Sequence, residues 1–556
     1  MISGTIAGIS SFTVYPLGEI TITRPSYYIS YTPFSASGTM WIRSNSTATS
    51  VSYQISSYNG MLKFGNSYPE YLSFERCNWR KIETNIPRFN RDITFSKCET
   101  LRYAGLYNCT SLSYTFTSCY SLSQVSLPLC EYVGAWAFSD CYSLKQVSLP
   151  VCSYIGSWAF GCCYSLSQVS LPVCEYISLV GFAHCNRLSQ ISLPVCSYLG
   201  DGVFVGCNRL SQVSLPVCSY ISGEAFRGCK SLSQISLPVC SYIGGYTFNE
   251  CYSLSQVSLP VCEYVGGGAF SSCSSLSQIS LPMCSYLGSS AFFECYSLTQ
   301  VSLPVCEYVG GGAFWSCYSL SQISLPLCEY VGDKAFLTCS SLSQVSLPVC
   351  SYIGTGAFSD CSSLLQISLP MCSYIGYRAF YVCNRLSQVS LPVCSYISEE
   401  AFRGCYRLLQ VSLPVCSYIG NYAFQECNSL SQISLPVCSY IGSRAFYNCY
   451  LLSQVSLPLC EYVGDQAFFD CSSLSQISLP MCSYLGQSAF WYCSSLNSIT
   501  IGYSSVCSLG GSNTFSYTQI TSSTGSIYVP ASLVSAYKSA SNWSQYSAII
   551  QSYPGL

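Results

Sequence analysis

The chain has 556 residues, only 8% of them charged, and a formal net charge of −2. So sparse a charge offers no basic field for nucleic acid or anionic lipid and no acidic run of the kind that marks a disordered tail. The surface must be wetted by Ser, Gly, Asn and the hydroxyls of 48 Tyr, and no stretch nears the roughly 18 uninterrupted apolar residues of a spanning helix, so membrane insertion is not expected.

Residues 1–30 carry no Lys or Arg before Arg24 and no unbroken apolar core, so they do not read as a secretory signal. Polar and β-prone residues alternate over 1–76, as in Glu19-Ile-Thr-Ile-Thr-Arg24 and Thr49-Ser-Val-Ser-Tyr-Gln54, with turn residues Gly38, Asn59 and Gly60 between them. This pattern predicts a β-rich N-terminal domain or cap. Over 77–118 a repeat emerges in degenerate form, with Cys98-Glu-Thr-Leu101 and Cys109-Thr-Ser-Leu112 as opening turns of shortened spacing.

From Cys119 to Cys493 every twenty-second residue is cysteine, and a second series, Cys130 to Cys482, runs eleven residues out of phase. A fixed period held without insertion means stacked units that bury their apolar faces only against neighbours, a solenoid over 119–500. Within one turn, Val125 and Leu127 share a face while Ser126 points out, so Gln124–Leu127 is a short parallel strand. Pro128 and its equivalents through Pro480 end pairing on every turn. Gly134 is expected to supply positive φ at the turn that follows. Seventeen phenylalanines, Phe138 to Phe490 in steps of 22, predict a stacked stripe opposite the sheet. The remaining space allows one short helical or 3-10 turn over Ala137–Cys141. Asn497-Ser-Ile-Thr-Ile501 reads as a last strand. Within a C-terminal cap, 501–556, one helix is predicted over about 532–550, with Leu533, Ala536, Tyr537, Ala540 and Trp543 closing the open core.

The pattern Leu122-x-x-Val125-x-Leu127-x-x-Cys130 resembles the leucine-rich-repeat consensus. More specifically, SLPVCSYIGSWAFGCCYSL (148–166), with its Leu-Pro step, Ile-Gly pair, Ala-Phe pair and Cys-x-x-Leu, resembles the BspA-type leucine-rich repeats of bacterial surface proteins and phage-encoded proteins. IYVPASLVSAYKSASNWSQYSAII (527–550) is similar to the cap that often follows such repeats. The expected fold is therefore a leucine-rich-repeat solenoid, mostly β, capped at both ends. The resemblance implies non-enzymatic binding or adhesion, with an extracellular, cell-surface or virion location.

The two cysteine series hold 35 of the 40 cysteines. Equivalent residues on adjacent parallel turns lie about 4.8 Å apart, within reach of a disulfide, but their Cβ vectors run parallel and are poorly aimed for one. Zinc requires convergent ligands, whereas a ladder sets its sulfurs in a row. Buried free thiols, acting as small hydrophobes with a weak donor, are the expected state and fit manufacture in a reducing cytoplasm. No metal or other cofactor is expected. Asp140, Cys162 and His184 occupy one register in three successive turns. A histidine-activated thiolate is conceivable there, but with Cys in the middle the base lacks an orienting carboxylate, so no catalytic residue is assigned.

Comparing turns within the chain shows where it varies. Ser-Leu-Ser-Gln-Val/Ile-Ser-Leu-Pro is nearly frozen, including the outward Gln and Ser that many leucine-rich-repeat receptors vary, whereas the pairs equivalent to 135/136 and 139/140 read AW/SD, SW/GC, GG/WS, YR/YV and EE/RG in different turns. Trp136, Trp158, Tyr246, Phe293, Trp315, Tyr377, Arg378, Tyr381, Arg403, Tyr422, Arg444 and Trp491, with Arg227, Tyr447 and Tyr492, form an expected exposed lateral stripe. Free solvent positions ordinarily drift to Lys, Glu and Ser, while Trp, Tyr and Arg are the residues of binding hot spots. The function expected is a non-catalytic adhesion or receptor-binding protein, taking a cell-surface glycan or protein on a repeat surface about 80 Å long. The alternative is a structural spacer of a virion or surface assembly, attached to that larger assembly through its ends.

Overall fold

The computed structural model describes residues 80–553, apart from 85–87, 90–92, 503 and 523–524, and upstream of Arg80 the backbone of seven strands. The expected turn residues Gly38, Asn59 and Gly60 lie outside the described residues. Two compact units, Met1–Leu276 and Ser277–Leu556, divide the chain.

In the first unit Ile2–Ile6, Ile9–Val14 and Glu19–Ile22 pair antiparallel, and from Lys81 on it is a stack of parallel turns. Its expected strand is present in each repeat: in Gln146–Ser148, Val147 is buried while Gln146 and Ser148 face out. Gln146 pairs with Gln168, Val147 with Val169 and Ser148 with Ser170, so each residue meets its own equivalent one turn on. A further strand of two residues follows in every turn, Tyr132–Val133 pairing with Tyr154–Ile155 and that with Tyr176–Ile177. Upstream, Glu19–Ile22 pairs in parallel with Thr39–Ser44, then Met61–Phe64, Lys81–Thr84 and Tyr103–Leu106. Glu19 faces Trp41 and Thr39 faces Met61, a 22-residue step, so backbone pairing carries the repeat above the point where its sequence pattern fades.

The third side of the turn is made of single turns. Ala159, Gly161 and Cys163 donate their N–H to the carbonyls of Gly156, Trp158 and Phe160. These are i→i+3 bonds of the kind that build 3-10 helix. No helix propagates, because Trp158 and Cys162 adopt left-handed φ of 59°. The N–H groups of Trp136, Phe138 and Asp140 point along the stack instead, donating to Ser157, Ala159 and Gly161 at 2.9, 2.7 and 2.9 Å. Left-handed backbone thus falls at the 136 and 140 positions and not at Gly134, which corrects the role expected for that glycine. Most of the 134 series, all but Ser178, Ser222 and Ser398, is glycine, and the approach there is close: a Cβ on Gly156 would come within 2.5 Å of the Gly134 carbonyl carbon.

Inside, the phenylalanines form the expected stack. Phe138 and Phe160 lie 5.2 Å apart at 9° in the first unit, and Phe314 and Phe336 lie 5.1 Å apart at 8° in the second; all four are fully buried. Both cysteine rows are buried. One row donates S–H to a phenylalanine carbonyl of the previous turn, as from Cys163 Sγ to Phe138 O at 3.2 Å. The other donates two residues ahead, as from Cys152 Sγ to Tyr154 O at 3.2 Å. Burial pushes the Cys394 thiol up to about 11 and the Cys405 thiol to about 12, so these two remain protonated packing groups.

The second unit repeats this turn and ends in a small closing layer. Ser498–Ile501, Ser526–Val529 and Ile550–Ser552 extend the parallel row. The helix expected over about 532–550 is only Val534–Ser539, followed by a 3-10 turn at Ser544–Tyr546. Ala540 is extended and Asn542 has φ 63°; Ser and Asn in this segment compete for backbone partners and break the helix. Tyr537 and Trp543 are fully buried, with Trp543 Nε1 donating to Cys507 O at 2.6 Å, whereas Ala536 faces solvent.

Candidate binding surface

The variable positions flank a fixed core pair. Ala137 and Phe138 turn inward and are fully buried, as is Ser139, while 135, 136 and 140 lie half-buried at the outer edge of the same two turns. At 136 and 140 the backbone is left-handed in almost every repeat, yet the residues there include Trp136, Tyr246, Arg378, Tyr422 and Arg444. Each such residue carries a local cost of about 1–2 kcal/mol, offset by hydrogen bonds along the stack. Backbone geometry therefore selects no side chain here; what stands at these positions is set by the surface.

In the first unit the stripe is broken. Trp136 and Trp158 stack at 5.2 Å and 12°. The 136 positions that follow are Val180, Gly202 and Glu224, the last paired with Arg227 at 3.1 Å. Tyr246 then stands 52% exposed over Gly268.

In the second unit Phe293 meets Trp315 edge-on at 5.2 Å, and Lys334 Nζ lies 5.4 Å from the Trp315 ring. From Tyr377 onward the contacts are continuous. Arg378 grips Glu400 through two hydrogen bonds, 3.0 and 3.1 Å, and Arg403 adds a third at 3.1 Å. Tyr377 Oη donates to the same carboxylate at 3.4 Å. Burial would raise the Glu400 carboxyl, but hydrogen bonds and charge from Arg378 and Arg403 outweigh it and hold the group below its ordinary value. Arg378 also lies over the rings of Tyr377 and Tyr381, at 4.9 and 5.1 Å. Arg403 reaches from Tyr381 to Tyr422, and Arg444 from Tyr422 to Tyr447, at 5.6 to 6.0 Å. Tyr447 stacks on Phe469 at 4.6 Å, Phe469 leads to Trp491 at 5.7 Å, and Tyr492 stacks on Tyr517 at 4.6 Å.

These contacts correct one expectation. Trp136, Trp158, Phe293, Trp315, Tyr377, Arg378, Tyr381, Arg403, Tyr422 and Trp491 are half-buried against one another rather than freely exposed; Tyr246 and Arg444 are exposed. Sequence reasoning missed Phe469, Tyr517 and Glu400. Phe469 sits one 22-residue step before Trp491, so the register could have found it, whereas nothing in the sequence singles out Glu400 as the hub.

A family model for the BspA type leucine rich repeat region matches residues 110–233, 197–321, 307–428 and 417–540. The chain belongs to the BspA-type leucine-rich repeat family. Among solved structures it is similar to a leucine-rich repeat protein from Bacteroides ovatus ATCC 8483, at 26% identity over 62% of this chain and 86% of that one, with a TM-score of 0.46. It is also similar to a leucine rich cell surface protein from Faecalibacterium prausnitzii A2-165, at 18% identity over 74% and 94%, with a TM-score of 0.29. No match is found among curated proteins. BspA-type repeats are surface-associated binding or adhesion scaffolds, typically without catalysis. None of the helices in the described residues is long and apolar enough to cross a membrane.

Two other features of this BspA-type chain bear on chemistry. In the second unit the frozen Gln and Ser rows line an uncharged groove of about 960 Å³, from Gln366 and Ser368 through Gln454 and Ser456, with amides and hydroxyls able to hydrogen-bond. At the register of Asp140 and His184, Cys162 is half-buried. Burial raises its thiol, a hydrogen bond with Tyr164 offsets this in part, and Asp140 raises it further. That is the reverse of what a thiolate nucleophile needs.

Proposed function

We propose that this protein is a non-catalytic adhesion or receptor-binding protein, held at a cell surface, whose second unit engages a glycan or protein partner through the lateral stripe. The observation that carries this reading is the unbroken run of arginine and aromatic contacts from Tyr377 to Tyr517. Preassembled rings and guanidinium groups lose little rotamer freedom on binding, and Tyr, Trp and Arg dominate binding energy at protein surfaces. The Ser, Gly and Asn residues among them suit polar adaptation around such anchors.

The test is binding of the full chain to glycan arrays and to intact bacterial and host cells, alongside a Tyr422→Ser, Arg444→Ser, Tyr447→Ser, Trp491→Ser variant. Binding by the parent that is lost in a variant with unchanged circular dichroism supports the reading. A variant that binds like its parent removes the stripe as the recognition surface.

A further inference from the structure

The corner that follows each Gln-x-Ser strand carries a second unexplained row. In Leu127-Pro128-Leu129-Cys130 the Cys130 N–H donates to the Leu127 carbonyl at 3.5 Å, which puts Pro128 and Leu129 at the two central positions of a β-turn. Proline suits the first of these, but the second favours Asp, Asn, Ser or Gly. The chain sets Val, Leu or Met there in all 17 turns from Leu129 to Met481. Core burial does not account for it: Val239 is 46% exposed, Met283 51%, Leu327 47% and Met371 57%. The 135, 136, 139 and 140 positions belong to the same repeats, yet have admitted Gly, Ser, Glu, Arg and Trp. An exposed position that excludes polar residues against its own turn preference is held by something outside the turn.

We infer that this row is where a second copy of the chain packs side by side, row on row and antiparallel about a two-fold axis. Contact at every turn requires a partner with the same one-turn pitch, which a second copy has by construction. A row of near-identical residues at even spacing is also self-complementary when turned end for end, as an isologous contact must be. The area is sufficient: with on the order of 50 Å² left exposed by each Val, Leu or Met of the second unit and by each preceding Pro, the row offers roughly 1,000 Å², against about 800 Å² per partner in a standard interface. Beside it lie the Ser or Glu equivalents of Glu131 and then the Tyr132 row, stacked turn on turn at 4.6 Å for Tyr132 and Tyr154. An apolar centre rimmed by Tyr and Ser is the make-up of a protein interface. This inference is independent of the lateral stripe.

Sedimentation velocity of the full reduced chain, over about 1–100 µM, tests it against the variant Val349→Ser, Met371→Ser, Val393→Ser, Val415→Ser, Val437→Ser. Serine suits the second turn position better than the residues it replaces, so the variant folds, as unchanged circular dichroism and Tm would show. The expected result is a dimer for the parent and association at least about 100-fold weaker for the variant. A parent that stays monomeric throughout overturns the inference, whether or not it adsorbs to phosphatidylcholine vesicles. A variant that dimerises like the parent overturns it too, and so does a dimer abolished by the stripe substitutions instead of these.

Discussion

The two units are built from one turn but dress its outer corner differently. In the first, Trp136 and Trp158 stack and the next equivalents are Val180, Gly202 and Glu224. In the second, rings and guanidinium groups touch in sequence from Tyr377 to Tyr447 and on to Phe469 and Trp491. The backbone beneath is alike: Trp136 and Tyr422 both have φ 57°. Identical geometry carrying unlike chemistry means the fold does not choose these residues, which ties the second unit's run to something the surface does.

The largest expected effects lie in the shared interior and guard the comparison against a trivial cause. Phe160→Ala in the first unit and Phe314→Ala in the second each remove a fully buried ring from an aromatic stack. Each should cost about 3–5 kcal/mol in denaturant unfolding. Equal penalties keep the contrast on the surface; a much smaller one in either unit would place it in the core.

Binding comes next. Trp136→Ser with Trp158→Ser alters only the first unit, and Tyr422→Ser with Arg444→Ser and Tyr447→Ser only the second. Loss of affinity should be about 10–100-fold for the second set, or about 1.4–2.8 kcal/mol, and under about threefold for the first, measured on the same immobilised cells or glycans. Equal losses would erase the functional distinction between the units.

Much of this was legible in the sequence because a one-dimensional repeat sets each residue against its own equivalent. Cys, Phe and Leu at 22-residue spacing therefore announce the thiol rows, the ring stack and the strand directly. The left-handed positions stayed hidden, since Trp, Tyr, Arg and Glu are poor markers of positive φ; it is hydrogen bonding along the stack that holds them there. Half-burial of the stripe was equally unreadable, because it depends on each long side chain folding onto the next turn. The C-terminal helix was overestimated from Leu533, Ala536 and Ala540, where apolar spacing outweighed the Ser and Asn between them.

Glu400 gives a smaller and pH-dependent difference. It is 6% exposed and joined to Arg378, Arg403 and Tyr377. Glu400→Gln should cost about 1–3 kcal/mol at neutral pH, as the guanidinium groups lose their charged acceptor. Because the folded carboxyl titrates below its unfolded value, its contribution is complete above about pH 4.3 and is lost as pH falls through the lower folded value. Unfolding curves of parent and variant should therefore converge on acidification below pH 4. A constant gap down to the acid limit would mean that packing, not charge, holds this hub.

The smallest effect separates strain from contact at the left-handed positions. Val180 is β-branched with φ 49° and Ser290 has φ 57°, so glycine at either should relieve the conformation and stabilise the fold by about 0.5–1 kcal/mol, more at Val180, after its greater unfolded-state entropy is counted. At Tyr422 the same relief is opposed by loss of the ring that both Arg403 and Arg444 cover, at about 0.5–1 kcal/mol for each such contact. Tyr422→Gly should thus be neutral or destabilising where Val180→Gly and Ser290→Gly stabilise, read as opposite shifts in Tm. Stabilisation at all three would mean that the Arg and Tyr contacts contribute nothing to the fold, leaving the run of rings and guanidinium groups in the second unit to be explained by its partner alone.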